Sequence, residues 1–295
     1  MVFFLYYSVH EDTPSINLTY FPGSLNFLKS TEKNPAILKK ERLQKKFRKK
    51  WEALLTHLHN FSKKQQPQEI HQLRIEIKKI IAITTLAESC LKGLDFSGPL
   101  KPLRLLFKRA GKLRDGFVHL ELINRFQKSN AALKIKQGSQ IKKLSDRFCL
   151  EIRAYEKNLK NSGKKILLKF KGLKNDCILQ IYQKQLNKLI YTFSDRSNPI
   201  DLHKYRKKIK TILYGYEVFN KGLVKELPLN TAYLERIQDK IGHWHDLAMT
   251  LKLLADEGFA DDQAINKLKN QNERLIRSIH TLTNNFRKKV TLPVK

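Results

Sequence analysis

The chain has 295 residues, and its 58 lysines and arginines outnumber its 27 aspartates and glutamates, which gives a formal net charge of +31. Hydrophobic residues make up 41% of the chain, too many for a wholly disordered basic tail, while glycine and proline are too sparse for a low-complexity linker or a turn-rich all-β protein. So high a charge favours a polyanionic partner such as nucleic acid, polyphosphate or an anionic membrane.

The first residues differ in composition from the rest of the chain. Residues 1–28 contain no lysine or arginine, so we interpret residues 1–30 as an N-terminal arm or tail. The apolar start lacks a basic segment, so a signal peptide is not predicted, and no apolar run approaches the ~20 residues of a membrane-spanning helix. The three cysteines have no paired spacing, which indicates neither disulfides nor a zinc site and favours a cytoplasmic location.

The remainder of the sequence is typical of helices, with prolines at the expected starts and glycines at positions 93, 98, 163, 222 and 258 at the expected ends. Eight helices are predicted, near 34–61, 67–92, 99–127, 139–163, 174–194, 199–221, 229–257 and 261–289. They divide into two sets of four, within residues 31–165 and 170–290, with a hinge in the loop near 163–174.

Two motifs recur in the same order in the two halves. The pattern His-x-x-Arg-x-x-Ile-Lys occurs at His71–Lys78 and at His203–Lys210, 132 residues apart. The pattern Gly-x-x-(Arg/His)-Asp occurs at Gly111–Asp115 and at Gly242–Asp246, 131 residues apart. This repetition predicts an all-α fold of two four-helix halves related by an internal pseudo-twofold repeat.

The first motif places a basic stripe beside an apolar one on each of two helices. His71, Arg74 and Lys78 follow one another at helical spacing, about 100° around the helix from its apolar side. His203, Arg206 and Lys210 form the matching stripe of the second half; these six residues are called the basic stripes below. A single charged stripe is usually a solvated face, but its recurrence favours a basic groove shared by the two halves.

The second motif places a glycine in the middle of a helix in each half. Glycine costs about 1 kcal/mol relative to alanine inside a helix, so Gly111 and Gly242 indicate close approach of another helix or of a ligand. We expect Asp115 and Asp246 to accept hydrogen bonds from a neighbouring histidine or arginine and to orient it. A role as general base is less well supported, because no partner nucleophile is apparent in the sequence.

The paired motifs resemble those of the CHAD family, α-helical domains named for their histidines, over roughly residues 33–290. The resemblance implies two four-helix bundles around a basic groove that binds inorganic polyphosphate, here in a stand-alone member. The residues expected to bind polyphosphate are His71, Arg74, Lys78, Arg104, Lys108, Arg114, His203, Arg206, Lys207, Lys210 and His245, with Asp115 and Asp246 orienting the site.

The second half departs from the first at three positions. His245 stands where the first half has Arg114, His243 is an additional histidine, and Thr211 replaces Lys79. Because histidine titrates near pH ~6.5, we expect the charge of this half to depend on pH.

The predicted function is non-enzymatic binding of inorganic polyphosphate, without cofactor or metal, and association with polyphosphate granules is expected. The first alternative is a nucleic-acid-binding protein, although the stripes lack a repeated aromatic residue for base stacking. The second is a phosphohydrolase, for which the sequence shows no acidic metal-binding cluster. A scaffold that brings other proteins to polyphosphate is compatible with binding. The oligomeric state is not predicted.

Overall fold

The computed structural model describes residues 37–126, 131–194, 202–223, 227–256 and 262–292. Within these ranges it contains β1 (Ile37–Leu38), α1 (Lys40–Lys64), α2 (Pro67–Cys90), α3 (Ser97–Phe126), α4 (Ala131–Leu150), α5 (Ile152–Lys169), β2 (Leu173–Lys174), α6 (Asn175–Ser194), α7 (Leu202–Leu223), α8 (Thr231–Asp256), α9 (Asp262–Thr283) and α10 (Phe286–Lys289). The predicted N-terminal arm, residues 1–30, lies outside the described residues.

The apolar periodicity of the sequence decides which face of each helix is buried. Proline supplies no backbone donor and has a helical φ, which suits Pro67 to its place as the first residue of α2. Ile70, Leu73, Ile77 and Ile80 recur at helical spacing along α2, and all four are fully buried. The basic stripe on α2 therefore borders the hydrophobic core.

The fourth predicted helix, 139–163, is wrong in its bounds, because two helices occupy this part of the chain. α4 ends at Leu150 and α5 begins at Ile152. At Glu151 the backbone N–H bonds to the carbonyl of Phe148, three residues back, at 3.2 Å. Across this tighter turn the rings of Phe148 in α4 and Tyr155 in α5 pack together, with centroids 5.4 Å apart. Neither glycine nor proline marks the break.

The predicted hinge near 163–174 is also largely helix, because α5 continues through Gly163 to Lys169. Gly163 does not end the helix. It lies against the indole of Trp51 in α1, and a Cβ at this position would be 2.9 Å from Trp51 Cε2. The glycine thus allows α1 and α5 to pack closely, and only three residues separate α5 from β2.

The helices form two groups that also pack against each other. In the first group α1 packs on α2, α2 on α3, and α3 on α4 and α5; in the second, α6 packs on α7, α7 on α8 and α8 on α9. Between the groups, α2 packs on α7 and α3 on α8. Both groups contribute side chains to one main hydrophobic core.

A smaller apolar cluster joins α3 and α4 to α8 and α9, and consists of Ile123, Leu133, Leu247, Leu254 and Leu268. Apart from β1 and β2, which pair antiparallel with Ile37 opposite Lys174, the regular structure of the described ranges is helical. The predicted all-α fold is confirmed, and the pseudo-twofold relation between the halves stays a prediction.

Candidate functional site

Arg74 is held against the backbone of α3. Its Nη1 donates a hydrogen bond to the carbonyl oxygen of Phe107 at 2.7 Å, and its Cζ lies 4.1 Å from the centroid of the Phe107 ring. One turn later, a Cβ at Gly111 would be only 2.5 Å from Arg74 Nη1. Gly111 therefore leaves the space that the guanidinium occupies.

Arg206 makes the same contact in the second half. Its Nε donates to the carbonyl oxygen of Gln238 at 3.1 Å, and a Cβ at Gly242 would be 2.8 Å from Arg206 Nη2. In both halves the accepting carbonyl belongs to the residue four positions before the glycine. The close approach expected at the two glycines is thus made by an arginine side chain of the same half.

The two basic stripes meet where α2 packs on α7. Burial, followed by the positive charges of Lys210, Arg74, Arg206 and Arg114, lowers the pKa of Lys78 to about 7. Burial, followed by the charges of Arg206 and Arg114, lowers the pKa of Lys210 to about 8. The pKa of His71 is lowered by partial desolvation and by Arg114 and Lys210. Cations from both halves are therefore concentrated in one place.

Arg114 connects the two halves at the centre of this cluster. Its Nη1 and Nη2 each lie 3.5 Å from a carboxylate oxygen of Asp246 on α8, and its Nη1 lies 3.6 Å from Asp115 Oδ1. The Asp246 side chain is 23% exposed and that of Asp115 is 59% exposed. The better buried carboxylate is thus contributed by the opposite half.

The histidines of the second half form a pair. The ring centroids of His203 and His245 are 4.6 Å apart, and Nδ1 of His203 is buried without a hydrogen-bond partner in the described part of the chain. Burial, then His245, Lys207 and Arg206, lower the pKa of His203 to about 4. Burial also lowers the pKa of His245, against the opposing effect of Asp246. His243 is exposed on α8.

Three of the residues expected at the site lie away from its buried part. Arg104 and Lys108 are exposed on α3. Lys207 is exposed on α7, where its charge acts on His203. These three residues stay predictions for the outer edge of the site.

Sequence reasoning missed two features near the stripes. His119 lies one turn after Asp115, and its pKa is lowered by burial, against the opposing charges of Asp115 and Asp246. Lys79, for which no contact was expected from sequence, forms ion pairs with two carboxylates, with its Nζ 3.0 Å from Glu217 Oε2 and 3.4 Å from Glu76 Oε1. No sequence pattern indicates this pairing, because Glu217 is 138 residues away from Lys79.

The described residues contain no group of three or more His, Cys, Asp or Glu side chains that could hold a metal ion. None of the helices described is both long enough and apolar enough to cross a membrane.

Comparison with known proteins gives two similarities. The sequence model of the CHAD domain family matches residues 100–255. The fold is similar to the crystal structure of the CHAD domain from the plant Ricinus communis, with a TM-score of 0.61 and 16% sequence identity, over 85% of this chain and 93% of that chain. No curated protein matches the chain in sequence.

Proposed function

The chain belongs to the CHAD family, and on that premise we propose that it binds inorganic polyphosphate, or a similar polyanion, in a basic groove between its two halves, without catalysing a reaction. CHAD domains are associated with polyphosphate binding in general. The observation that carries the proposal for this chain is the convergence of Arg74, Lys78, Arg206 and Lys210 where α2 packs on α7.

The electrostatic state of the cluster supports an anionic ligand. Burial, followed by nearby basic groups, lowers the pKa values of Lys78, Lys210 and His203. Keeping these groups positively charged in the free protein therefore costs free energy. A bound polyanion would relieve this repulsion. Asp246 and Asp115 offset part of it through Arg114.

The geometry also fits a flexible chain of phosphates. Polyphosphate carries about one charge per unit and presents no bases, so it needs cations at intervals rather than a shaped pocket for a base. Arg74 and Arg206 are oriented by bonds to backbone carbonyls, so less conformational entropy is lost when they bind phosphate oxygens. Association with polyphosphate granules would follow from such binding.

Titration of the protein with polyphosphate of defined length, at several salt concentrations, tests the proposal. If several residues of the basic stripes contact phosphates together, affinity should fall steeply with salt, because bound counterions are released on association. Salt-insensitive binding, or no binding at low salt, would contradict the proposed ligand class.

Two further assays separate the alternatives. In competition with RNA or duplex DNA at equal phosphate concentration, polyphosphate should stay bound to the protein. Displacement of polyphosphate by nucleic acid would favour the alternative hypothesis of a nucleic-acid-binding protein. Incubation of the protein with polyphosphate and Mg²⁺ or Mn²⁺ should release no more phosphate than the same mixture without protein. Release that depends on the protein would show that the non-catalytic assignment is wrong.

A further inference from the structure

Lys78 and Lys79 are neighbours in sequence but occupy opposite environments. Lys79 contacts the carboxylates of Glu76 and Glu217, and although burial opposes the effect, the hydrogen bond to Glu217 and the charge of Glu76 raise its pKa. Lys78 makes no ion pair or hydrogen bond within the described residues. Its Nζ lies 5.6 Å from the centroid of the Phe107 ring.

The groups that face Lys78 come from three helices, and all of them are basic. Arg74 is on the same helix, Arg206 and Lys210 are on α7, and Arg114 is on α3. The nearby carboxylates of Asp115 and Asp246 are paired with Arg114. Within the part of the chain that the structure describes, no carboxylate is therefore seen to pair with the Lys78 amine and hold it as an ammonium.

Such an amine is a nucleophile near neutral pH. Lysines become nucleophilic when burial and adjacent cations favour the neutral amine, and both conditions hold at Lys78, whose pKa is about 7. The Lys78 side chain is only partly buried, so a small reagent can reach it. The flanking arginines carry the forked donors that bind phosphate.

We propose that Lys78 is a site of covalent acylation by small acyl phosphates, whose phosphate group binds to the arginines beside it. The neutral Nζ attacks the acyl carbonyl carbon and a C–N bond forms. The bond between that carbon and the phosphate oxygen breaks, and inorganic phosphate leaves with the electron pair. The nitrogen loses one proton to solvent, and the product is an uncharged amide at Lys78.

Reaction of the whole protein with acetyl phosphate near pH 7.5 tests the proposal. Mass spectrometry of the digested protein would give the acetylation rate at Lys78, at the ion-paired neighbour Lys79 and at the exposed Lys101. We expect Lys78 to react on the order of tenfold faster than either control, because its amine lies among cations without a carboxylate partner in the described ranges, whereas ion pairs hold Lys79 as an ammonium and Lys101 is exposed to solvent. A rate at Lys78 no greater than that at Lys101 would overturn the proposal.

A second acyl donor separates amine reactivity from phosphate binding. N-acetylimidazole carries no phosphate, so the preference for Lys78 over Lys101 should be smaller with this reagent than with acetyl phosphate. Excess inorganic phosphate should slow the acetyl phosphate reaction at Lys78 and leave Lys101 unchanged. An equal preference with both donors would overturn the assignment of acyl phosphates as the reagent class.

This inference does not depend on polyphosphate binding. Adding polyphosphate to the labelling reaction should protect Lys78 if the proposed function is correct. Preferential labelling that polyphosphate does not slow would uphold the acylation site and contradict the proposed function. Polyphosphate binding measured by titration, without preferential labelling of Lys78, would uphold the proposed function and contradict the acylation site.

Discussion

Arg74 and Arg206 are the residues whose position is best defined in the site. Each donates a hydrogen bond to a backbone carbonyl and lies against a glycine of the facing helix. Replacing them by glutamate would set a carboxylate against those carbonyl oxygens and threaten the fold. Glutamine is the sharper substitution, because it removes the charge and keeps a donor.

The double change Arg74→Gln plus Arg206→Gln should weaken polyphosphate binding more than tenfold, since a hydrogen bond to a charged group contributes about 1.5–3 kcal/mol. The matched control is Lys63→Gln plus Lys64→Gln, which removes the same charge from the exposed last turn of α1. Titration with polyphosphate at one salt concentration measures both. Equal losses in the two variants would mean that only overall charge matters.

The glycines of the second motif provide an independent test of the same geometry. In Gly111→Ala the new Cβ would collide with Arg74 Nη1, which is the far end of a flexible side chain, so the arginine should move and binding should weaken. Helix content should not fall, because alanine favours helix by about 1 kcal/mol over glycine.

Gly138→Ala is the matched control for this change. Gly138 lies within α4, and a Cβ there would meet no atom within 4 Å. This variant should bind polyphosphate as the unmodified protein does and should unfold at a slightly higher temperature. Unchanged binding in Gly111→Ala would show that the position of Arg74 is unimportant.

The packing of α2 on α7 is the element-scale feature that determines how the site responds to pH. We predicted from sequence that histidines would carry the dependence, but the pKa of His203 falls to about 4, so this ring is neutral in the free protein from pH 6 to 8. Lys78, with a pKa of about 7, and Lys210, with a pKa of about 8, titrate in or next to that range. Lys78 lies on α2 and Lys210 on α7, and only the tertiary structure brings these two helices together.

Polyphosphate affinity should therefore rise as pH falls from about 9 to about 6. A bound polyanion favours the ammonium forms of Lys78 and Lys210, so binding takes up protons and is favoured by acid. Titrations at four pH values and constant ionic strength would measure the profile. Arginine stays charged throughout this range, so Lys78→Arg should flatten the dependence of affinity on pH. A flat dependence in the unmodified protein would contradict this account.

At the scale of the whole molecule, the net charge of +31 opposes the compact state through self-repulsion. Two agents should relieve it by different routes. Salt screens all the charges, whereas polyphosphate binds the folded protein and stabilises it by about 2.7 kcal/mol when present at a hundred times its dissociation constant.

The thermal midpoint of unfolding should consequently rise with sodium chloride, and rise further with polyphosphate at the same ionic strength. In Arg74→Gln plus Arg206→Gln the response to salt should remain and most of the response to polyphosphate should be lost. Differential scanning calorimetry measures both. A polyphosphate effect of equal size in the variant would place the binding elsewhere on the molecule.

The sequence by itself determined the all-α fold, the family, the buried face of α2 and the two basic stripes. These depend on periodicity and motif spacing, which are local properties that any helix expresses in its own turns. The repeated glycines were also recognisable as sites of close approach, because a mid-helix glycine is unfavourable unless something needs the space.

Only the tertiary structure decided what fills that space and how each charge behaves. Arg74 occupies the space at Gly111, Arg114 pairs with Asp246 from the opposite half, and the helix breaks at Glu151, where neither glycine nor proline marks the boundary. Lys78 and Lys79 are adjacent in the chain, yet one faces basic groups and the other faces Glu217. The physical reason is that a side chain's charge state depends on burial and on neighbours within a few ångströms. Several of those neighbours, such as Lys210 for Lys78 and Glu217 for Lys79, lie more than a hundred residues away in sequence.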